Sequence, residues 1–372
     1  MKTTVLLSAN TSWYLHNFRS GFIRKLNSIV DQVIIVAPSD EYSANLQEVG
    51  CVVCPVTIKN KQISPVNDVL LFFRYLRIFF RKKPSIILSF TVKPVIYGSL
   101  AARLLRIPCI NTITGLGSTF IYPSMVTTVV KILYRLSLGH SHRVIFQNEV
   151  DKSLFVRKSL VKTKQAELVP GSGVNLNYFS WTKLEVKSNF CFLMVARILK
   201  DKGVIEYLEC AKRLGDKNVG IRFQLVGAVE LSNHFDSIDR GKIDSYHEKK
   251  IIEYTEQVDD IRPFIGGSDC VVLPSYREGL SRILLEAAAM GRPIIASDVP
   301  GCREVVERHR NGILCQAGNV ESLETAMWEM FKTSHEDRVT MGTESRTIAV
   351  ERFDEDIVIS KYLKAIRACV NK

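Results

Sequence analysis

Short apolar runs alternate with amphipathic stretches along the whole chain. In the first half the apolar runs are rich in Val and Ile, as is typical of buried strands; they are TTVLLSA, QVIIVAP, CVVCPV, SIILSF, PCINTIT and RVIFQN. Stretches with apolar residues at helical spacing separate them, namely Gly21–Ile29, Asp68–Lys83, Tyr97–Arg106 and Met125–Leu136. Because parallel strands need a crossover helix between them, this alternation predicts a doubly wound parallel sheet.

The second half of the chain repeats this plan. Its apolar runs are FCFLMVA, RFQLVGA, IIEYTEQ, DCVVLPS, PIIAS and GILC, with helices predicted over Val204–Leu214 and Ser281–Met290. A polar, turn-rich stretch from Pro170 to Ser188 separates the halves. We therefore predict an α/β protein with two doubly wound Rossmann-like domains facing across a cleft, over residues 1–180 and 181–352. Residues 353–372 form a last amphipathic helix, which either returns to the first domain or stays on the second.

The two halves differ in charge. The 372 residues are 46% hydrophobic and 24% charged, a packed globular composition that excludes a disordered chain. Residues 1–180 carry 22 Lys and Arg against 8 Asp and Glu, whereas residues 181–372 carry 28 against 30. An anionic partner should therefore meet the first domain. We expect no nucleic acid, because the basic half shows neither exposed stacking aromatics nor a nucleic-acid-binding module.

One basic amphipathic helix is predicted around Val69–Phe80. At about 100° per residue Arg74, Arg77 and Arg81 fall within one narrow arc, with aromatic and leucine side chains on the other side. The apolar run is interrupted by arginines and is shorter than the roughly 20 residues of a membrane span. Its apolar face either packs on the sheet, which we favour for this helix alone, or contacts an anionic membrane. Nine scattered cysteines, typical of reduced buried thiols, indicate a cytoplasmic protein.

The loop after FCFLMVA carries two cations, Arg197 and Lys202, directly before a predicted helix. Cations at a helix N-terminus form an anion site, because the helix adds a partial positive charge. Such a site suits a leaving diphosphate, whose charge grows as its bond to a sugar breaks. A solvated basic loop is the equally weighted alternative.

Two glutamates accompany the helix after DCVVLPS. Glu278 lies in the strand-to-helix loop beside Gly279, which allows close approach of a ligand to the backbone. Glu286 lies on a helix whose neighbouring residues are Ile, Leu, Ala and Met, so its carboxylate needs a partner. A ribose diol would supply two hydroxyl donors, and a nearby arginine or solvent is the less favoured alternative.

The spacing of Arg197, Lys202, Glu278 and Glu286 resembles that of the retaining GT-B glycosyltransferases of family 4, and the resemblance covers essentially the whole chain. Its most specific part is Pro274–Val306. Four further segments resemble the subgroup that adds a sugar, often N-acetylgalactosamine, to a polyprenyl-diphosphate-linked saccharide in bacterial surface-glycan assembly such as that of O-antigen. These segments are Ser89–Arg103, Asn111–Phe120, Val144–Asp151 and Val169–Phe179.

The resemblance implies a role for each candidate residue. Arg197 and Lys202 would bind the diphosphate and stabilise its departure, and Glu278 would contact the donor sugar. The rest of the UDP-sugar site would comprise the amides of Gly279 and Leu280, Glu286 on the ribose and Val258 near the base. No metal or other cofactor is expected, because these cations take its place. Retention is expected through front-face attack, whereas a covalent mechanism would need a carboxylate such as Glu149.

The acceptor side departs from the family pattern. The loop after the first strand has no glycine before Gly21, and Thr114 stands where many members have a histidine. The acceptor-side candidates are Asn17, Arg19, Lys93 and Thr114. Arg19 and Lys93 are the candidates for the acceptor's phosphate, and each could equally be an ordinary surface charge. A basic first domain and a lipid-linked acceptor favour a peripheral position on the cytoplasmic membrane face. The rivals are a UDP-GlcNAc 2-epimerase of the same fold, which needs no acceptor, and a basic nucleic-acid-binding protein.

Overall fold

The computed structural model describes residues 3–59, 64–116, 125–217, 220–229 and 236–370, so part of the segment Asn111–Phe120 lies outside the described residues. The chain divides into two compact units. Unit 1 comprises Met1–Ser172 together with Glu355–Lys372, and unit 2 comprises Gly173–Asp354. The division thus falls at Ser172, ahead of the boundary expected at residue 180.

Unit 1 is built on a seven-stranded sheet of parallel strands. The strands are β1 (Thr4–Ser8), β2 (Gln32–Ala37), β3 (Val52–Pro55), β4 (Ile86–Phe90), β5 (Cys109–Ile113), β6 (Arg143–Phe146) and β7 (Ala166–Leu168). They lie in the order β3-β2-β1-β4-β5-β6-β7. The helices of the first segment are α1 (Ser12–Asn27), α2 (Tyr42–Glu48), α3 (Pro65–Lys82), α4 (Ser99–Leu104, after a π-helical turn at Pro94–Gly98), α5 (Met125–Leu138) and α6 (Glu149–Arg157). Apolar clusters on both faces of the sheet bury the central strands.

Unit 2 repeats the plan with a six-stranded parallel sheet. Its strands are β8 (Phe190–Val195), β9 (Ile221–Val226), β10 (Glu253–Thr255), β11 (Cys270–Leu273), β12 (Ile294–Ser297) and β13 (Gly312–Cys315), in the order β10-β9-β8-β11-β12-β13. Its helices are α7 (Val204–Gly215), α8 (Arg240–Glu248), α9 (Arg262–Gly267), α10 (Arg282–Ala289), α11 (Val320–Lys332) and α12 (His335–Arg352). The prediction of two doubly wound α/β units is confirmed.

The last helix, α13 (Glu355–Val370), packs in unit 1, which is the first of the two placements expected from the sequence. Val358, Tyr362 and Ile366 enter the core that contains β1 and β4. The Tyr362 hydroxyl shares a hydrogen bond of 2.8 Å with the hydroxyl of Thr112 on β5. This helix therefore completes one apolar face of the first sheet.

Each sheet reverses its strand order once. The reversal lies between β1 and β4 in unit 1 and between β8 and β11 in unit 2, and both pairs are hydrogen-bonded in parallel. At such a point the crossover helices leave on opposite faces, and a crevice opens beyond the carboxyl ends of the two strands. The loops that follow these four strands are therefore the places where each unit can hold a ligand.

Helix α1 of unit 1 differs from the sequence prediction, whereas α3 agrees with one of the two hypotheses made for it. The segment before Gly21 is expected as a loop, but α1 begins at Ser12 because the Thr11 hydroxyl accepts a 3.1 Å hydrogen bond from the Tyr14 amide and caps the helix. The helix α3 buries Tyr75 and Phe79 in the core, as the packing hypothesis expects. It also leaves apolar residues on its solvent face, and across the part of the chain described here no helix has the length and apolar character that a bilayer span requires.

Candidate active site

The loops that follow β8 and β11 form one structure at the switch point of unit 2. The Asp201 carbonyl accepts hydrogen bonds from the Tyr276 amide at 2.8 Å and from the Ser275 hydroxyl at 3.1 Å. Gly203 has a φ of 75°, and a Cβ at this position would overlap the Pro274 carbonyl, so only glycine fits between the loops. The loops after β8 and β11, about 75 residues apart in the chain, are thereby held in a fixed position relative to each other.

Lys202 and Glu278 meet where these loops touch. The Lys202 Nζ donates to Glu278 Oε1 at 2.6 Å, and only 15% and 16% of the two side chains are exposed. Partial burial strengthens their attraction, because less water screens it. Lys202 can contact a phosphate of a ligand, and the Glu278 carboxylate can accept hydrogen bonds from sugar hydroxyls.

A third loop supports Glu278 from behind. The Glu278 amide donates to the Pro300 carbonyl at 3.2 Å, and a Cβ on Gly301 would lie 2.5 Å from the Glu278 carbonyl oxygen. The Gly301 amide donates in turn to Glu304 Oε2 at 2.6 Å. Sequence analysis did not single out Gly301 or Glu304, although both lie in the segment Pro274–Val306 that carries the family resemblance.

Gly279 and Leu280 lie between Glu278 and the first turn of α10. Gly279 is buried, and Leu280 is half-buried against the apolar cluster beneath the loop. The Ser281 amide is already bonded to the Gly301 carbonyl at 3.0 Å. Helix α10 begins four residues after Glu278 in the chain, and the partial positive charge of a helix start favours an anion near it.

Arg197 and Val258 lie at the same edge of the second sheet. Arg197 follows β8 in the loop that leads to Lys202, and its side chain is exposed. Val258 follows β10, two strands from β8, and is half-buried against the apolar cluster that also contacts Leu280. The structure thus places both residues at the carboxyl ends of strands, as the sequence predicts.

Glu286 is paired with an arginine rather than left alone on its apolar helix. The Arg282 Nε donates to Glu286 Oε1 at 2.7 Å, and 12% of the Glu286 side chain is exposed. Burial raises the pKa of the Glu286 carboxyl, and the charge and hydrogen bond of Arg282 oppose that rise. Within the protein, Glu286 therefore pairs with an arginine, which was the less favoured alternative from the sequence. The other oxygen of the carboxylate can still accept a hydrogen bond from a ligand.

A further pair lies beneath the two loops. The Tyr276 hydroxyl donates to Glu206 Oε1 at 2.6 Å, and Glu206 is buried in the first turn of α7. The Tyr276 ring contacts Gly318, where a Cβ would lie 3.5 Å from the ring. This support could not be predicted from the sequence, because the three positions are distant along the chain.

The acceptor-side candidates all lie in unit 1, in different surroundings. Asn17 is exposed on α1, and Thr114 is half-buried just after β5. Arg19 is only 2% exposed, and its guanidinium faces the rings of Phe90 and Tyr362 at 4.7 and 5.3 Å. This position gives Arg19 a packing role and does not present its charge to solvent.

The switch point of unit 1 has a strained residue that sequence analysis missed. Thr91, directly after β4, has a φ of 65°, which is unfavourable for a β-branched residue. Its hydroxyl accepts a 3.1 Å hydrogen bond from the amide of Asn10, which follows β1. Lys93, two residues further on, donates to Asp68 Oδ1 at 2.8 Å.

Two matches with protein families define the class of this protein. Residues 4–148 match the family described as glycosyl transferase 4-like, and residues 189–333 match glycosyl transferases group 1. Together the two matches span well over half of the chain. The chain therefore belongs to the glycosyltransferases that these two descriptions cover, with a 4-like first half and a group 1 second half. Its fold is the GT-B fold.

Individual relatives extend this comparison. The chain is 28% identical, over 94% of its length and 94% of the relative's, to the N,N'-diacetylbacillosaminyl-diphospho-undecaprenol alpha-1,3-N-acetylgalactosaminyltransferase of Campylobacter jejuni. It is 26% identical, over 72% of its length and 71% of the relative's, to the UDP-Gal:alpha-D-GlcNAc-diphosphoundecaprenol alpha-1,3-galactosyltransferase of Escherichia coli. The crystal structure of Anabaena Alr3699/HepE in complex with UDP and glucose is similar in fold, with a TM-score of 0.80 at 16% identity over 98% of this chain and 100% of that one.

Proposed function

We propose that this protein is a retaining glycosyltransferase that moves a hexose or N-acetylhexosamine from a UDP-sugar to a polyprenyl-diphosphate-linked saccharide in bacterial surface-polysaccharide biosynthesis. N-acetylgalactosamine is the first candidate for the sugar. The observation that carries the proposal is the Lys202–Glu278 pair at the β8–β11 switch point. The relatives from C. jejuni and E. coli are both named for an undecaprenol-linked diphosphate substrate. These names support a polyprenyl-diphosphate-linked acceptor.

In this mechanism Lys202 and Arg197 bind the diphosphate of the donor, and Glu278 accepts hydrogen bonds from the sugar. The acceptor hydroxyl approaches the face of the sugar from which UDP departs. The bond from its oxygen to the anomeric carbon forms as the bond from that carbon to the phosphate oxygen breaks. The departing oxygen takes the hydroxyl proton, and the two cations stabilise the charge that develops on it. The proposal assigns that charge stabilisation to side chains and not to a metal ion.

The helix α3 supports a peripheral position on the cytoplasmic membrane face. Its solvent side carries an apolar stripe, here called the α3 stripe, which comprises Val66, Val69, Leu70, Phe73 and Phe80. Exposed arginines lie beside it at Arg74 and Arg81. Apolar side chains flanked by cations favour an anionic bilayer surface. Phe73→Gln with Phe80→Gln should reduce co-sedimentation with phosphatidylglycerol vesicles several-fold, while Ile29→Gln in the exposed turn after α1 should not.

The test of the proposed reaction is UDP release from a panel of UDP-sugars, with and without a detergent-solubilised polyprenyl-diphosphate saccharide. Acceptor-dependent release with one donor, unchanged by EDTA and lost in Glu278→Ala, is the expected result. Conversion of UDP-GlcNAc in the absence of any acceptor would replace the transferase with an epimerase. Release that requires a chelatable metal would overturn the role given to the cations.

A further inference from the structure

A groove of about 560 Å³ lies between α3 and α4 in unit 1. Its walls are mainly apolar and comprise Val69, Phe72, Tyr97, Leu100 and Leu104. Its volume falls within the range of small-molecule sites, about 300–1,000 Å³. Val69 and Leu104 are 55% and 63% exposed, so the groove is open along its outer side.

One end of the groove is polar and lies near the carboxyl end of β4, at the switch point of the first sheet. Asp68, in the first turn of α3, accepts from Lys93 Nζ at 2.8 Å and forms a hydrogen bond with the Tyr97 hydroxyl. Burial and the Asp68 carboxylate raise the pKa of Tyr97, so the phenol stays protonated and donates. Because Lys93 follows β4 at the switch point, this end of the groove opens where unit 1 can hold a ligand.

The outer side of the groove continues into the α3 stripe. Val69 belongs to both, and Phe73 lies one helical turn further along the same side of α3. The charges beside this surface are basic, since Arg103 lines the groove, Arg74 follows Phe73 on α3, and both are exposed. Among the described residues that line the groove, Asp68 is the one carboxylate, and it is paired with Lys93. An apolar channel with a basic surround complements a hydrocarbon chain that carries an anionic head.

We propose that this groove binds the isoprenoid chain of the acceptor lipid, with the diphosphate end of the lipid towards Lys93 and the switch point. The inference rests on the proposed function, because it names the part of that acceptor which unit 1 recognises. The residues from Tyr97 to Leu104 span about 10 Å at helical rise, so the groove holds the part of the chain nearest the head. The remaining chain leaves through the open side along the α3 stripe.

The test pairs two acceptors with two variants. The groove variant is Val69→Gln with Leu104→Gln, and both positions are exposed enough for the fold to persist. The matched control is Val129→Gln with Ile132→Gln on α5, which are both 55% exposed and lie outside the groove lining. The same saccharide diphosphate is offered on an undecaprenyl chain and on a propyl group. We expect the groove variant to lower kcat/KM for the undecaprenyl acceptor about tenfold, to leave the propyl acceptor unchanged, and to differ from the control.

A loss shared equally by both acceptors would assign the groove residues to folding or catalysis, and would overturn the inference. An unchanged kcat/KM of the groove variant for the undecaprenyl acceptor would also overturn the inference. Equal losses in the groove variant and the α5 control would assign the effect to general contact with lipid or detergent instead.

A binding measurement separates this inference from the proposed reaction. Fluorescence anisotropy with a labelled farnesyl diphosphate requires no turnover, so it reports on the groove even if no transfer is found. The parent and the control should bind, and the groove variant should bind about tenfold more weakly. No binding by the parent, or equal binding by all three proteins, would contradict the groove. A dimer that is present in the parent and lost in the groove variant would assign this surface to a second copy of the chain.

Discussion

Arg282 holds Glu286 from one helical turn earlier on α10, with its Nε 2.7 Å from Glu286 Oε1. The same guanidinium donates through Nη1 to the Gly173 carbonyl at 2.6 Å. Arg282 is therefore fixed at two points and sets the direction in which the glutamate points. A carboxylate held in this way is ready to accept hydrogen bonds without a further loss of side-chain entropy.

Glu286→Gln should weaken donor binding and leave the chemical step largely intact. The amide keeps the shape of the side chain but can no longer accept through two charged oxygens, so each donor hydroxyl bond becomes weaker. We expect the KM for the UDP-sugar to rise about tenfold with kcat within about twofold. Steady-state kinetics measure both, with Glu351→Gln on the exposed end of α12 as the control. A fall in kcat with an unchanged KM would place Glu286 in the reaction instead.

Acid should act on Glu286 in opposite directions for binding and for folding. Its pKa is raised in the folded protein, so it takes up a proton at a higher pH than an ordinary glutamate, and donor KM should begin to rise there. The folded state also binds that proton more readily than the unfolded chain, so this group's contribution to the free energy of unfolding falls as pH rises through the folded pKa. Glu286→Gln should remove both trends, as measured by pH profiles of KM and by thermal denaturation. If the donor KM of Glu286→Gln still depends on pH as in the parent, that pH dependence belongs to another group.

Lys202→Ala should lower kcat/KM about 100-fold, because it removes a preorganised cation from the departing diphosphate. Its matched control is Lys200→Ala, which removes an exposed cation from the same loop and should stay within about twofold of the parent. Thermal denaturation of both variants checks that the loss is not one of folding. Equal kcat/KM values in the two variants would show that Lys202 has no special role in the site.

Arg292 is predicted to be one of the most important side chains for the stability of unit 2. It is fully buried, and its guanidinium donates to the backbone carbonyls of Ile265 at 3.0 Å, Thr182 at 2.8 Å and Gly266 at 2.9 Å. Arg292→Leu would leave these carbonyls unsatisfied and should lower the free energy of unfolding by about 3–5 kcal/mol. Urea denaturation measures this loss, and Arg308→Leu at an exposed position should cost less than about 0.5 kcal/mol. Similar losses of unfolding free energy in both variants would show that the buried hydrogen bonds of Arg292 are not the cause of its effect.

The local parts of this fold could be predicted from sequence because they depend on neighbouring residues. The apolar runs that predict β8 and β11 and the loops after them are visible in short windows. The Arg282–Glu286 pair is also local, since residues four apart on a helix can meet, but an arginine partner for Glu286 was the less favoured of the alternatives. The contact between Lys202 and Glu278 could not be derived in this way, because it depends on β8 and β11 lying side by side.

Other features could not be predicted because their causes are distant along the chain. Arg19 is enclosed by rings from α1, β4 and α13, and in the sequence it has the same appearance as a surface arginine. The partners of Arg292 are backbone carbonyls, which every residue possesses and no composition distinguishes. The exposed apolar residues of α3 could not be identified for another reason, because the sequence does not show which side of this helix packs on the sheet.

The position of α13 determines the order in which the two units can be finished during synthesis. Unit 2 is one continuous stretch, and its two ends lie together, with the Val174 amide bonded to the Phe353 carbonyl at 2.8 Å. Unit 1 is interrupted by that stretch and lacks one wall of its core until α13 leaves the ribosome. Domains made first usually fold first, but here the part of unit 1 that precedes unit 2 in the chain must wait for the part of unit 1 that follows unit 2.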